Sequence, residues 1–170
     1  KSGTPGALVG RQSLVLDATQ GRRIVQNRMR DLKSLAEGTL FEFQLLIQAD
    51  THANFQFARD LEKGLTALYV GFEQGRIESY QPGSFQEFEV GQYDFKSGQN
   101  RFVIRLQVQK SADRCLLSVR SLSDDVLLVD SVPIALNGWN PVGDPVQGIT
   151  FDARTGSKVV VDDLRISTPP

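Results

Sequence analysis

Two stretches of strict alternation limit what this chain can fold into. In "FEFQLLIQ", Phe41, Phe43, Leu45 and Ile47 fall on one side, and Glu42, Gln44 and Gln48 on the other. In "NRFVIRLQVQ", Phe102, Ile104, Leu106 and Val108 alternate with Arg105, Gln107 and Gln109. A period of two puts successive side chains on opposite faces of a strand, so each stretch has one side on a core and one side in water. Shorter runs repeat the pattern: "SLVLDA", "NFQFAR", "TALYVGF", "RIESY", "FEVGQYDF", "CLLSVRS", "VLLVDS", "GITFDA" and "KVVVDDLRIS". Turn-forming clusters separate them, among them "TQGR", "EQGR", "QPGS", "KSGQN" and "RTGS". Only "RMRDLKSLAEG" reads as helical, with Gly38 placed to end it.

About a dozen short strands without crossover helices predict an all-β, two-sheet antiparallel sandwich with at most one short helix. At 170 residues the chain fits one domain, residues 1–170, with the Gly/Pro-rich "LNGWNPVGDPVQG" as a surface loop between the sheets. The net charge of -1 gives no overall field toward nucleic acid or an anionic membrane. The early basic residues, including Arg22, Arg23 and Arg28, read as solvated edges and turns. No apolar run approaches the ~20 residues of a membrane-spanning helix. Cys115 is the sole cysteine, so no internal disulfide forms, and its place in "RCLLSVRS" predicts a buried strand thiol. The chain begins with Lys1, which reads as an excised domain or processed product.

The order of strands and turns resembles the concanavalin A-like lectin/glucanase superfamily, including laminin G-like domains. The resemblance is carried by "SLVLDA", "GTLFEFQLLIQA", "LYVGFEQGRIESY", "QNRFVIRLQVQ", "CLLSVRS" and the closing "SKVVVDDLRI". It spans about Ser13 to Ile166 and implies a jelly roll. A remoter similarity is to domains related to 3-keto-disaccharide hydrolases. In such folds the last strand returns beside early strands and carries an Asp or Asn before its final apolar residues.

The paired acids in "VVVDDLRI" need an account of their own. In a regular strand Val160, Asp162, Leu164 and Ile166 share one face, and an unpaired carboxylate there costs several kcal/mol. Asp162 is therefore expected to accept hydrogen bonds from a neighbouring loop, or a bulge turns it outward. Asp163 is expected near the surface. The two are secondary candidates for calcium, which wants six to eight oxygens; the reading is that no metal or other cofactor is bound.

Catalytic signatures are sparse. Glycosidases need two carboxyls about 5–9.5 Å apart. The nearest pattern, Glu87 and Glu89, lacks the middle acid that the resemblance calls for and reads as a solvated edge. His52, the one histidine, reads as a surface turn residue beside Asp50 and Thr51. No nucleophile elbow and no P-loop or dinucleotide fingerprint is present. Sugar recognition needs less: an aromatic face and a few amides or carboxylates. Tyr69, Tyr80, Glu78 and Trp139 are the candidate ligand-binding residues, with Asn54, Gln56 and Gln81 as further polar contacts. The expectation is a non-catalytic, extracytoplasmic, lectin-like module whose partner is a glycan. The alternatives are a structural domain that contacts another protein domain and, behind it, a glycan-acting hydrolase.

Overall fold

The computed structural model describes residues 13–28, 36–49, 52–96, 100–136 and 148–168. The predicted helix and the Trp139 loop fall outside these residues, apart from their ends. The described residues form twelve strands in two antiparallel sheets of six. The first sheet holds β1 (Leu14–Asp17), β12 (Lys158–Ser167), β3 (Leu40–Ala49), β8 (Asn100–Gln109), β9 (Arg114–Ser121) and β10 (Leu127–Ala135), in that order. The second holds β2 (Arg23–Arg28), β11 (Gly148–Ala153), β4 (Ala53–Asp60), β5 (Leu65–Glu73), β6 (Arg76–Tyr80) and β7 (Glu87–Gln92).

The alternating faces meet in one core. Phe41, Phe43, Phe102, Ile104, Leu106 and Val108 of the first sheet are at most 1% exposed. They pack on Phe55, Phe57, Phe72 and Phe151 of the second. Ring contacts bridge the sheets directly: Phe41 to Phe57 at 4.6 Å, Phe43 to Phe55 at 4.8 Å and Phe72 to Phe102 at 5.3 Å. Tilted and edge-on pairs at these separations add to the burial of apolar area. Cys115 is buried in the same core, and burial pushes its thiol pKa up.

Strand β2 is an element that the alternation does not announce. Its inward contribution is Val25, while Ile24 stays 47% exposed. It is an edge strand, held by pairing along β11 from Arg23↔Ala153 to Arg28↔Gly148.

The paired aspartates are explained by a bulge in β12. The pairing with β3 shifts register between Asp162 and Arg165, and Asp163 takes a φ of 51°. Val159 and Val161 face the core before the bulge, and Leu164 faces it after. The regular parity expected from the sequence, with Asp162 and Leu164 on one face, is thus replaced. One extra residue lets the apolar face resume while both acids leave the interior. Asp162 accepts the Asp163 backbone N–H at 2.9 Å, and among the described residues no bond reaches it from a neighbouring loop. Asp163 is exposed and accepts a bond from Gln44 Nε2 at 3.2 Å. Among the described residues, no group of three or more His, Cys, Asp or Glu is arranged to hold a metal ion.

Candidate functional site

The outer face of the second sheet collects polar and aromatic side chains, and a turn sets their register. Strands β5 and β6 are joined by Gln74 and Gly75, with φ of 47° and 82°. Two successive left-handed residues make the tight hairpin turn whose twist matches the strands. It pairs Glu73 with Arg76, Gly71 with Glu78 and Val70 with Ser79. Val70, Phe72 and Ile77 point into the core. Tyr69, Gly71 and Glu73 therefore share the outer side with Arg76, Glu78 and Tyr80. The next strand adds Glu89 opposite Glu78 and Glu87 opposite Tyr80. On the other flank β4 adds Asn54 and Gln56, opposite Gly71 and Tyr69.

The register brings the two tyrosines together. Their rings stack with centroids 4.5 Å apart and planes 14° from parallel. Tyr69 is the lower ring, 2% exposed and lying over Gly71. A Cβ built on Gly71 would come within 2.4 Å of Tyr69 Oη, so the missing side chain makes room for the ring. Tyr80 is the upper ring and is half-buried. Phe85, 62% exposed, meets it edge-on at 5.6 Å. Tyr69 is covered on both faces, so Tyr80 is the ring of the pair that a ligand can reach.

A polar relay holds Tyr69 in place. The Thr66 hydroxyl donates to Gln56 Oε1 at 2.6 Å, and Gln56 Nε2 donates to Asn54 Oδ1 at 2.7 Å. Asn54 Nδ2 lies 3.3 Å from His52 Nε2, and Tyr69 Oη lies 3.0 Å from the same nitrogen. His52 Nδ1 is 3.1 Å from Glu73 Oε2, a close approach that is not aligned as a hydrogen bond. The backbone of His52 is fixed as well. Its N–H donates to Ser157 Oγ at 2.9 Å, and that hydroxyl donates to the His52 carbonyl at 2.8 Å. His52 is 3% exposed, not the surface turn residue expected from the sequence. The signal that finds it is the alternation of β4 extended one step back: His52, Asn54 and Gln56 against Ala53, Phe55 and Phe57.

Carboxylates dominate the charge here. Glu78 is 6% exposed, its Oε1 is 3.4 Å from Arg76 Nε, and its Oε2 is buried without a hydrogen-bond partner among the described residues. Burial raises the Glu78 pKa; Arg76 opposes the shift, and Glu87 and Glu73 add to it. Burial, then Glu87, raises both phenols. For Tyr80, Arg154 acts the other way. At the far side of the face Arg22 grips Asp152 with two bonds, Nε to Oδ1 at 3.0 Å and an Nη to Oδ2 at 2.6 Å. That geometry accounts for a carboxylate only 3% exposed. Of the four candidate ligand-binding residues, Tyr69, Glu78 and Tyr80 come together on one face, and Trp139 lies outside the described residues.

No protein-family model and no curated protein sequence matches the chain. Solved structures share its fold. A sialidase superposes with a TM-score of 0.56 at 9% identity, over 92% of this chain and 15% of the sialidase. The chain thus spans a small part of that protein's length. A Caenorhabditis elegans galectin gives a TM-score of 0.51 at 14% identity, over 88% of this chain and 97% of the galectin. The catalytic domain of a GH131 β-glucanase from Podospora anserina gives 0.51 at 12% identity, over 93% of this chain and 72% of that one. Identities this low speak to fold alone, and the fold is the concanavalin A-like jelly roll, the architecture of lectins and glucanases.

Proposed function

We propose that this chain is a non-catalytic carbohydrate-binding module, lectin-like in action as well as in fold, that serves outside the cytoplasm. The observation that carries the reading is the Tyr69–Tyr80 stack on the outer sheet face, ringed by fixed polar groups. A sugar ring presents a C–H face that packs on an aromatic ring and a rim of hydroxyls that need acceptors and donors. Tyr80 offers the ring, backed by Tyr69. Glu78 and Glu87 offer acceptors, and Arg76 offers donors. The relay through Thr66, Gln56 and Asn54 keeps the floor rigid, so little ordering is left for the ligand to impose. The galectin and glucanase whose fold it shares support a saccharide as the ligand.

The test is a glycan array followed by titration calorimetry on the wild type and on Tyr80→Ala. Few atoms are buried in such a contact, so dissociation constants of roughly micromolar to millimolar are expected. Tyr80→Ala should weaken binding by about tenfold or more, or 1.4 kcal/mol. A second reading, a protein-contact domain, is favoured by Leu122, Val126 and Leu127, which are 40–46% exposed around the β9–β10 turn. Absence of binding to every arrayed glycan would replace the first reading with this one.

A further inference from the structure

Four carboxylates gather around Tyr80, where Arg76 and Arg154 supply the guanidiniums and Gln92 Nε2 donates to Glu89 Oε1 at 2.8 Å. Glu73, Glu78, Glu87 and Glu89 rise from three consecutive strands on one face. Glu78 stands directly across from Glu89, and like charges at opposed positions destabilise a sheet. The guanidinium nearest Glu78 is Arg76, through one contact of 3.4 Å. Arg22 is engaged with Asp152. A second feature is Glu78 Oε2, which is buried and has no hydrogen-bond partner: among the described residues no group donates to that oxygen. A hydroxyl group would supply one donor and leave the excess charge in place, and a sulfated or carboxylated sugar would add to it. An ammonium group supplies three donors and a compensating charge, and it is attracted to a phenol face as well.

Resting on the carbohydrate-binding reading, we infer that the saccharide taken by this face carries a free amino group, drawn to the carboxylates of Glu78 and Glu87 beside Tyr80. The site is thereby selective for unacetylated amino sugars over acidic and neutral ones.

Titration calorimetry in low-salt buffer tests this with glucosamine oligomers, N-acetylglucosamine oligomers of equal length and galacturonic acid oligomers. The proteins are the wild type, Glu78→Gln and Glu87→Gln. The glucosamine oligomer should bind about tenfold more tightly than its acetylated counterpart, and the acidic oligomer should bind least. That preference should shrink by about tenfold in Glu78→Gln and weaken as salt is added. Glu87→Gln alters an exposed side chain. It should reduce the preference in the same direction and keeps the test open if Glu78→Gln does not fold. Equal binding of the free and acetylated oligomers, or a preference untouched by both variants, would overturn this inference and leave carbohydrate binding standing. Failure to bind these oligomers and every arrayed glycan would overturn both.

Discussion

Single residues decide whether the candidate site exists. Gly71 is the clearest case, because the Tyr69 ring occupies the space its side chain would fill. Gly71→Ala should force the ring off the sheet and break the Tyr69–His52 contact, at a cost of about 1–3 kcal/mol. The loss of stability is read from denaturant melts, and the displaced ring from the near-ultraviolet circular dichroism of the tyrosines. A wild-type melt and spectrum would show that the ring does not depend on that space. Glu78 makes a different prediction. Its folded-state pKa is raised above the ordinary 4.5, burial being the largest cause. The folded protein therefore holds this proton more tightly than the unfolded chain does. The contribution to stability is complete below about pH 4.5 and is lost as pH rises through the raised value. Glu78→Gln removes that dependence. The variant should gain on the wild type as pH rises from acid to neutral, in melts followed across that range. The opposite trend would mean that the carboxylate is stabilised in its charged form. A variant more stable and weaker in binding is what a site kept at the expense of stability produces.

Elements translate these residues into geometry, and at this scale the sequence was only partly legible. The long inward faces of β3 and β8 could be read directly, because each carries four apolar residues in strict alternation. Strand β2 could not, since an edge strand with little inward apolar surface leaves almost no periodic trace. The bulge in β12 was hidden for a related reason. Alternation presumes a regular strand, and one extra residue reverses parity without changing composition. The conformation of Asp163 allows a test. A left-handed φ of 51° suits Asp, Asn or Gly and penalises a β-branched side chain. Asp163→Val should cost about 1–2 kcal/mol, whereas Asp163→Gly should stay close to wild type, both judged by the denaturation midpoint. Equal stability of the two variants would argue against the left-handed bulge.

The whole molecule is a sandwich with two chemically different outer faces. The first sheet's outer side carries separated ion pairs such as Arg105 with Glu42 and Arg120 with Asp125. Exposed pairs of this kind add little stability and serve mainly to keep a face wet. The second sheet's outer side carries the stacked tyrosines, a continuous polar relay and an excess of carboxylates. The sequence allowed the parity of Tyr69, Glu78 and Tyr80 to be read from alternation and the hairpin turn. It did not disclose that Tyr69 is a covered floor or that His52 anchors it, because both depend on how side chains of neighbouring strands pack on one another, which alternation does not specify. Saccharide binding is proposed for the second face. An amide-resolved nuclear magnetic resonance titration of the labelled protein, using a ligand found on a glycan array, tests it most directly. Saturable shifts are expected at Asn54, Gln56, Glu78, Tyr80 and Glu87, with Gln44, Arg105 and Ser118 of the first sheet unmoved. Shifts confined to the first sheet, or none with any glycan, would contradict it.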